Sequence, residues 1–293
     1  MIAQVLEATN LYKSARQVMR NKGASGIDSM SHLKLLEYIR ENRSELLLSI
    51  CNNSYVPQAI LGVTIHKGNG KVRLLGIPTV VDRWLKQAVS QHLMTKFEYE
   101  FETFSYGFRP QKNIQKAVLQ AQRYINNGYQ DIVDIDLKGF FDEVDHCILL
   151  QLIYNKVQCP TTLRSIRKWL RVPISIHGKL HKRRKGIPQG SPISPLLSNI
   201  ILDVLDKEMK RMDVRYVRYA DDFSVYAKSK SEAKQIGNTL FIFLRDKLKL
   251  PINKAKSGIR RPVNFKLLGH GFVPIYKKGI KGQYQLVVKQ ESG

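Results

Sequence analysis

Two short acidic segments carry the residue types best suited to chemistry. In residues 132–137 (IVDIDL), Asp134 and Asp136 are two positions apart, so on a β-strand both side chains point to the same face. In residues 219–223 (YADDF), Asp221 and Asp222 lie between two β-prone runs, which indicates a tight hairpin with acids at its tip. Adjacent carboxylates in such a place repel one another and lose solvation, which raises their pKa values unless a cation is present.

If the two segments converge, their carboxylates form a site for divalent cations. Hard oxygen ligands suit Mg²⁺, which is held by a few carboxylates together with substrate phosphates. Two such ions, roughly 3.5–4 Å apart, activate an attacking hydroxyl and stabilise the leaving group of an in-line phosphoryl transfer. For Asp221 and Asp222 taken alone, an Asx turn is the structural alternative. The sequence contains no GxSxG, Walker A or HExxH motif that would offer a rival mechanism.

The charge of the chain favours nucleic acid as its partner. Its 293 residues include 48 Lys and Arg against 24 Asp and Glu, a formal net charge of +24. A field of this sign attracts polyanions. An anionic membrane is the competing partner, but the sequence has no apolar run of about 18 residues and no basic amphipathic anchor at a terminus. We therefore expect nucleic acid as partner and no membrane.

The cysteines and the first residues bear on the compartment. The 3 cysteines are odd in number and lack metal-ligand spacing, which argues against a disulfide framework and against a zinc site. The N-terminal residues have neither the charged start nor the apolar core of a secretion signal. These features predict a reducing, cytoplasmic environment.

Apolar periodicity predicts the helices and strands that must position the acids. Helical spacing begins near Leu33, Trp84, Ile114, Leu196 and Ala233, and start signals for three of these helices are Asn113, Ser194-Pro195 and Ser231. Their apolar stripes are expected to face the core. Strand-like runs cover residues 61–65, 72–77, 132–137, 214–219, 223–227 and 265–273. This mixture predicts an α+β fold with helices on one side of an antiparallel sheet, and the lack of a linker predicts one compact, interleaved body.

Eight motifs follow one another along nearly the whole chain. They are NKGASGID (21–28), HKGNGKVRLLGIP (66–78), SYGFRP (105–110), DLKGFFD (136–142), GIPQGSPISP (186–195), YADD (219–222), KS (256–257) and LLGHGF (267–272). A lone YADD is a weak signal, whereas eight blocks in this order are specific. As a set they resemble the motif blocks of reverse transcriptases, and among these the proteins encoded by group II introns.

The resemblance implies a right-hand polymerase with fingers and palm, an antiparallel palm sheet backed by helices, and no thumb. The N-terminal extension and fingers would cover residues 1–128, and the palm residues 129–293, with an interleaved fingers segment at about 150–190. Complete group II proteins continue into a helical thumb, whereas this sequence ends soon after the last palm block. We therefore expect a fragment that extends primers weakly.

The implied activity is RNA-directed DNA polymerisation by two Mg²⁺ ions, with Mn²⁺ able to substitute. The implied partners are an RNA template, a DNA primer, deoxynucleoside triphosphates and group II intron RNA, bound for splicing and retrohoming in a bacterial cytoplasm. The oligomeric state stays open, with a dimer among the options.

Matching the motifs position by position assigns the site residues. The resemblance gives the metals to Asp136, Asp221 and Asp222 and to the backbone carbonyl of Leu137, with Asp134 in a supporting role. Phe141 lies where the family places a ring under the sugar, which excludes a 2′-hydroxyl. The alternative for this phenylalanine is a place in the core, and the pair at 140–141 allows one residue for each role.

Further residues are assigned to the nucleotide and to nucleic acid. Lys67 and Arg73 would grip the triphosphate, unless they belong to a solvated hairpin. Gln189 and Gly190 would lie beside the nucleotide, and Lys256 would donate a proton to pyrophosphate. Arg109 would contact template phosphate or brace the fingers. RNA contact is expected from the basic run at 179–185, in particular from Lys182, Arg183, Arg184 and Lys185, for which a solvated loop is the alternative.

Other functions fit the same motifs. The protein could act mainly as a non-enzymatic, RNA-binding splicing maturase. An RNA-dependent RNA polymerase shares the palm, but its hairpin usually carries Gly-Asp-Asp and a small residue would suit position 141. Retron, diversity-generating and CRISPR-associated reverse transcriptases also resemble the chain, although the first block and the GIPQGSPISP run favour the group II lineage.

Overall fold

A computed structural model describes residues 1–66, 72–276 and 282–288, with the side chain of residue 73 left out. Contacts divide the chain into two compact units, both discontinuous in sequence. The first unit combines residues 1–100 with 144–200, and the second combines residues 101–143 with 201–293. Residues 101–128, expected in the fingers, belong to the second unit by their contacts, and the division into fingers and palm stays a prediction.

The elements are numbered in chain order. The α-helices are α1 (Ile2–Val5), α2 (Ala8–Arg20), α3 (Leu35–Cys51), α4 (Val80–Phe97), α5 (Ile114–Asn126), α6 (Phe140–Glu143), α7 (His146–Val157), α8 (Pro160–Arg171), α9 (Ser194–Arg211) and α10 (Lys230–Phe243). The β-strands are β1 (Ile60–His66), β2 (Val72–Ile77), β3 (Asp131–Ile135), β4 (Ile174–Ile176), β5 (Lys179–His181), β6 (Arg215–Tyr219), β7 (Asp222–Ala227), β8 (Gly258–Arg260), β9 (Lys266–Leu267), β10 (His270–Pro274) and β11 (Tyr284–Val288).

The helix start signals are partly confirmed. The side chain of Asn113 accepts a hydrogen bond from the backbone N–H of Lys116, which makes it the predicted N-cap of α5. The start at Ser231 is wrong, because Ser229 caps α10 by accepting from the backbone N–H of Glu232. Ser229 is the better cap because Glu232 stands three positions later. The carboxylate of Glu232 accepts a hydrogen bond from the backbone N–H of Lys228, much as in a capping box.

The expected core stripe near the start of α3 is also wrong. Leu33 is 71% exposed and Leu36 is 46% exposed. The reason is local, since residues 32–34 form a 3₁₀ turn that shifts the angular positions of the side chains. The helix buries Leu35, Leu46 and Ile50 instead.

The first unit contains a four-stranded sheet in the order β2-β1-β4-β5. Strands β1 and β2 form the antiparallel hairpin that the sequence predicts, while β4 joins β1 in parallel. Strands β4 and β5 are connected by His177 and Gly178, which both have positive φ (49° and 78°), as a two-residue type I′ turn requires. Elsewhere in this unit, the indole N–H of Trp84 in α4 donates to the carbonyl of Leu11 in α2 at 2.9 Å.

The second unit contains the predicted antiparallel sheet, in the strand order β6-β7-β3-β8. Ile132 of β3 packs in a core with Ala117, Val118 and Ala121 of α5. The next residue, Val133, contacts α10, where a Cβ added to Gly237 would lie 3.4 Å from the valine methyl. Neighbouring residues of a strand point to opposite faces, so helices cover both faces of this sheet and the expectation of one covered face is wrong.

The predicted strand 265–273 is interrupted. It forms β9 and β10, which pair with each other around Leu268 and Gly269. Both turn residues have positive φ, 50° and 78°, so the chain reverses at this point instead of continuing. Strand β10 also pairs with β11, which gives a three-stranded sheet in the order β11-β10-β9.

Two expectations about the environment concern the part of the chain that the structure describes. Cys51, Cys147 and Cys159 are free cysteines in the described structure. No helix in the described ranges is both long enough and apolar enough to cross a membrane.

Candidate active site

The acidic turn of residues 219–222 closes the β6–β7 hairpin. Tyr219 pairs with Asp222, which leaves Ala220 and Asp221 as the two turn residues. Ala220 has φ of +56°, a left-handed conformation that is uncommon for a residue with a Cβ. A positive φ at the first turn residue is typical of type II′ turns, which match the twist of antiparallel strands. The hairpin with acids at its tip is therefore confirmed.

A neighbouring segment supports this turn. The backbone N–H of Tyr106 donates to the carbonyl of Arg218 at 2.8 Å, and the N–H of Arg218 donates to the carbonyl of Phe104 at 3.0 Å. These bonds bring Gly107 against the turn, where an added Cβ would lie 2.3 Å from the backbone nitrogen of Ala220. Only glycine fits at position 107, so the SYGFRP motif has a structural role beside the acids.

Strand β3 delivers the other acidic segment to the same place. The last pair between β3 and β7 is Ile135 with Phe223, so Asp136 follows directly opposite the tip that carries Asp222. Both aspartates line a cavity of about 430 Å³ in the second unit. The cavity is lined further by polar and basic side chains, among them Asp134, Ser224, Lys256, Arg260 and Lys266.

A loop after α10 holds the backbone of Asp136. The N–H of Asp136 donates to the hydroxyl of Ser257 at 3.0 Å, and the carbonyl of Asp136 accepts from the N–H of Asn253 at 2.8 Å. One residue on, Leu137 forms an isolated antiparallel bridge with Ile252. Asp136 therefore lies on fixed backbone although the strand has just ended.

The electrostatics of the cavity show how closely the acids interact. The pKa of Asp222 is raised to about 6, first by partial desolvation and then by repulsion from Asp221, Asp136 and Asp134, while Lys256 lowers it. The amine of Lys256 is 3.7 Å from a carboxylate oxygen of Asp136. The acidic segments at 136 and 221–222 thus meet in one electrostatic cluster.

Asp134 has a basic partner of its own. Its Oδ2 accepts a hydrogen bond from Nε of Arg260 at 2.6 Å, and Nη2 of the same arginine donates to the carbonyl of Lys256 at 2.6 Å. Burial raises the pKa of Asp134, the bond from Arg260 opposes this, and Asp136 adds to the rise. The contacts of Asp134 agree with a supporting role beside the cluster.

The side chains fit a divalent cation that also binds substrate. Among the described residues, no three His, Cys, Asp or Glu side chains converge into a ready-made metal cage. Mg²⁺ does not need one, because it is commonly held by one or two carboxylates, several waters and substrate phosphates. Asp136 and Asp222 present carboxylate oxygens to the cavity, and a cation there would offset the burial and the repulsion that together raise the pKa of Asp222. The assignments of Asp136, Asp221, Asp222 and the Leu137 carbonyl to metal ions all stay predictions.

Comparison with known proteins identifies the family. The profile of the family described as "Reverse transcriptase (RNA-dependent DNA polymerase)" matches residues 65–272, well over half of the chain. The chain belongs to the reverse transcriptase family. The likeness to group II intron-encoded proteins, expected from the motifs, is confirmed among its relatives.

Two bacterial relatives illustrate this likeness. The group II intron-encoded protein LtrA of Lactococcus lactis subsp. cremoris is 29% identical over 314 residues, covering 84% of this chain and 52% of LtrA. Protein YkfC of Escherichia coli (strain K12) is 28% identical over 319 residues, covering 94% of this chain and 83% of YkfC. The chain thus spans about half the length of LtrA.

Solved structures confirm the fold. A chain of the partial Cas6-RT-Cas1–Cas2 complex aligns with a TM-score of 0.53 at 22% identity, covering 84% of this chain and 42% of that chain. Telomerase from Candida albicans aligns with a TM-score of 0.58 at 14% identity, covering 74% of this chain and 45% of that chain. The expected α+β polymerase fold with fingers and palm is therefore confirmed.

The two phenylalanines of this reverse transcriptase differ in burial. Phe140 is 2% exposed and belongs to the core. Phe141 is half-buried, and its ring meets that of Phe140 edge-on at 5.2 Å between centroids. One ring is thus structural and the other is partly open to solvent, which is compatible with the sugar-contacting role that stays a prediction for Phe141.

The nucleotide residues expected in the first unit are only partly described. Lys67 and the side chain of Arg73 lie outside the described residues. The carbonyl of Gln189 accepts a hydrogen bond from the N–H of Gly76 at 2.8 Å. Gly190 has φ of +96°, and an added Cβ would lie 2.6 Å from the carbonyl oxygen of Gly76. Glycine is therefore needed at position 190 for close packing against β2. The contact of Gly190 with the nucleotide stays a prediction.

Arg109 is engaged within its own unit. Its guanidinium donates to the carbonyls of Glu102 at 2.6 Å and Ser105 at 3.0 Å, and it lies 5.3 Å from the ring centroid of Phe101. These contacts brace a loop within the second unit, and the assignment of this loop to the fingers stays a prediction. Contact with template phosphate stays a prediction.

The basic run follows strand β5 in the first unit. Lys182, Arg184 and Lys185 are exposed, and Arg183 is half-buried. The cationic groups therefore lie at the surface. This exposure is expected of an RNA-binding loop and of a solvated loop alike, so RNA contact stays a prediction.

A buried ion pair behind the turn was not predicted from the sequence. Arg218 of β6 and Asp206 of α9 form an ion pair in which both side chains are 0% exposed. Two signals were available. Asp206 interrupts the apolar stripe of α9, and Arg218 is a charged residue within a strand that is otherwise buried. Charged residues in such places are rarely buried unless they are paired.

Proposed function

We propose that this chain is the RNA-directed DNA polymerase part of a group II intron-encoded protein, which extends a DNA primer on an RNA template by two-metal-ion nucleotidyl transfer. One observation carries the proposal, namely that Asp136 and Asp222 from two distant segments line one cavity in a member of the reverse transcriptase family. The order of the motif blocks and the relatives encoded by group II introns support the intron lineage.

In this proposal Asp136, Asp221 and Asp222, with the carbonyl of Leu137, hold two Mg²⁺ ions, for which Mn²⁺ can substitute. Bound ions would supply charge neutralisation at the attacking 3′-hydroxyl and at the leaving pyrophosphate. Ser257 and Asn253 keep the backbone of Asp136 in place during the reaction. Lys256, 3.7 Å from Asp136, is close enough to the cavity to give its proton to pyrophosphate.

The remaining residues would select the substrates. Lys67 and Arg73 would bind the triphosphate, with Gln189 and Gly190 beside the nucleotide, and the ring of Phe141 would exclude a 2′-hydroxyl. Arg109 and the basic residues Lys182, Arg183, Arg184 and Lys185 would contact RNA. The net charge of +24 supports a long polyanionic partner, and we propose template, primer and group II intron RNA, in a bacterial cytoplasm.

A primer-extension assay tests this function. The protein as the cell expresses it receives an RNA template, a DNA primer, Mg²⁺ and either deoxy- or ribonucleotides. We expect deoxynucleotide incorporation, and a loss on the order of 100-fold in Asp221→Asn, because a missing charge ligand removes transition-state stabilisation. Asp246→Asn is the matched control, since Asp246 is a surface residue of the same unit paired with Arg245. Incorporation of ribonucleotides alone, or an active Asp221→Asn, would overturn the assignment.

The same protein preparation separates polymerase from maturase. A splicing assay on the host intron RNA is run beside primer extension for the unmodified protein and for Asp221→Asn. If Asp221→Asn loses primer extension but supports splicing as well as the unmodified protein does, both roles are assigned to the protein. Splicing without any extension by the unmodified protein would favour the non-enzymatic maturase instead.

A further inference from the structure

We propose that Arg218 is a positioning residue for the acidic turn, which it holds in the shape that lets Asp221 and Asp222 bind divalent cations. The inference rests on the proposed function of these aspartates. It concerns a side chain that lies behind the turn and that is completely buried, with 0% of its surface exposed.

The guanidinium of Arg218 distributes its donors over three groups. Nε donates to the two carboxylate oxygens of Asp206 at 2.8 and 3.0 Å. Nη2 donates to the hydroxyl of Ser105 at 2.7 Å, and it also reaches Asp206. Nη1 donates to the carbonyl of Ala220 at 2.9 Å. One buried side chain thus connects a helix, a loop and the turn.

The bond to Ala220 is the one that matters for the aspartates. The carbonyl of Ala220 and the N–H of Asp221 belong to the same planar peptide group, so fixing that oxygen fixes the orientation of the next backbone unit. A hydrogen bond from a charged donor is stronger than one between neutral groups. Arg218 therefore controls the direction in which Asp221 leaves the turn.

The turn needs such support for two reasons. Ala220 is held at φ of +56°, which is unfavourable for a residue with a Cβ. The carboxylates of Asp221 and Asp222 stand next to each other in the chain, so like charges are held close together at this tip. On the other side of the turn, the lack of a Cβ at Gly107 lets the backbone approach closely. Arg218 and Gly107 together leave the turn little freedom to relax away from its strained shape.

Core stability alone does not account for an arginine at this position. A buried ion pair seldom stabilises a fold more than apolar residues of the same volume would. If the pair only filled the core, an apolar pair could replace it without consequence for the site. The forked geometry, which reaches Asp206, Ser105 and Ala220 at once, is available to arginine and not to lysine.

The test compares Arg218→Lys with Arg215→Lys. Lysine at position 218 keeps the charge for Asp206 but cannot hold all three partners. Arg215 is the matched control, because it lies on the same strand, is 42% exposed and pairs only at 3.5 Å with Asp213. Mn²⁺ binding is titrated by electron paramagnetic resonance on each protein, alongside thermal unfolding and the Mg²⁺ dependence of primer extension. The variant Asp221→Asn serves as the reference for Mn²⁺ binding after the loss of a proposed metal ligand.

We expect Arg218→Lys to bind Mn²⁺ about tenfold more weakly than the unmodified protein, the scale of one lost hydrogen bond to a charged group. Its Mg²⁺ requirement for extension should rise, and a high Mg²⁺ concentration should restore much of the rate. Arg215→Lys should bind as the unmodified protein does. If Arg218→Lys does not fold, the double variant Arg218→Met, Asp206→Leu keeps an apolar core in place of the pair and should show the same weakened binding.

The outcomes are distinct. A folded variant of either kind that binds Mn²⁺ with unchanged affinity would overturn the proposal, as would the failure of both to fold, since Arg218 would then serve the core alone. If Asp221→Asn binds Mn²⁺ as tightly as the unmodified protein, the proposed metal role of the aspartates fails, and the result is recognisable because it appears without any change at Arg218.

Discussion

At the scale of single residues, Asp222 is a proposed metal ligand that is also partly buried and repelled by neighbouring carboxylates. It shares a cavity with Asp136, follows Asp221 directly and has Asp134 nearby, and its pKa rises from 3.8 to about 6. The folded protein therefore binds this proton more tightly than the unfolded chain does. Ionisation of Asp222 costs stability, and the cost grows as the pH rises from about 3.8 to above 6.

This linkage makes a prediction for Asp222→Asn. With metal removed by chelation, the melting temperature of the variant should exceed that of the unmodified protein at pH 7 and above, because a neutral amide avoids both the burial of a charge and the repulsion from the neighbouring carboxylates. The difference should shrink as the pH falls through about 6 towards 3.8, where the aspartate becomes protonated and neutral. Scanning calorimetry over this range measures it. Asp246→Asn serves as control, and an equal difference at both ends of the pH range would contradict the burial and repulsion of the Asp222 carboxylate as the cause.

At the scale of elements, the β6–β7 hairpin depends on a loop that is distant in sequence. Residues 104–107 run beside β6 and end against the turn. Both the backbone N–H and the backbone carbonyl of Arg218 form hydrogen bonds with this loop. The hairpin by itself would have to keep Ala220 in a left-handed conformation without help. The loop and the hairpin are therefore structurally coupled, and the loop helps to determine the shape of the turn.

Two glycine substitutions should have opposite effects on stability. Gly107→Ala places a Cβ 2.3 Å from the backbone nitrogen of Ala220, so the free energy of unfolding should fall by roughly 2 kcal/mol and primer extension should fall with it. Gly237→Ala in α10 meets only an ordinary contact at 3.4 Å and should raise that free energy by about 0.5–1 kcal/mol. Urea unfolding measures both. A Gly107→Ala variant as stable as Gly237→Ala would contradict the close contact.

Local patterns in the sequence predicted much of this. Strands β1, β2 and β7 and helices α4, α5 and α9 follow from apolar spacing, and the acids at 136 and 221–222 stand out because they interrupt apolar strands. What could not be predicted depends on contacts between distant segments. The reversal at 268–269 needs two residues with positive φ of which only one is glycine. The partnership of Asp206 with Arg218 depends on how α9 folds onto β6, which spacing does not determine.

At the scale of the whole molecule, the surplus of positive charge matters most. The net charge of +24 is spread over the chain, but not every cation is available to a partner. Near the end of α9, Lys207, Lys210 and Arg211 form ion pairs with Asp203, Glu102 and Glu208. Along strand β5 and the run that follows it, Lys179, Lys182 and Arg184 are exposed. These two sets allow a matched comparison.

Neutralising the second set should weaken RNA binding in a salt-dependent way. For Lys179→Gln, Lys182→Gln and Arg184→Gln combined, the slope of log K against log[salt] should fall in magnitude by about 2, as three lost contacts to single-stranded phosphate imply. The same change at Lys207, Lys210 and Arg211 should leave the slope nearly unchanged, because carboxylates already neutralise these groups. Fluorescence anisotropy over a salt series measures both. Equal slopes for the two triple variants would leave the run as a solvated loop.

The discontinuity of the two units also governs the order in which the protein can fold during synthesis. Residues 1–100 leave the ribosome before residues 144–200, so the first unit is complete only after the later segment has followed. Strand β3 emerges long before both of its neighbours in the sheet, so its edge towards β7 stays unpaired until translation has passed residue 227, and its edge towards β8 until residue 260. An exposed edge of this kind invites pairing with other chains. A nascent polypeptide halted between β3 and β7 is therefore the stage at which chaperone protection would be needed most.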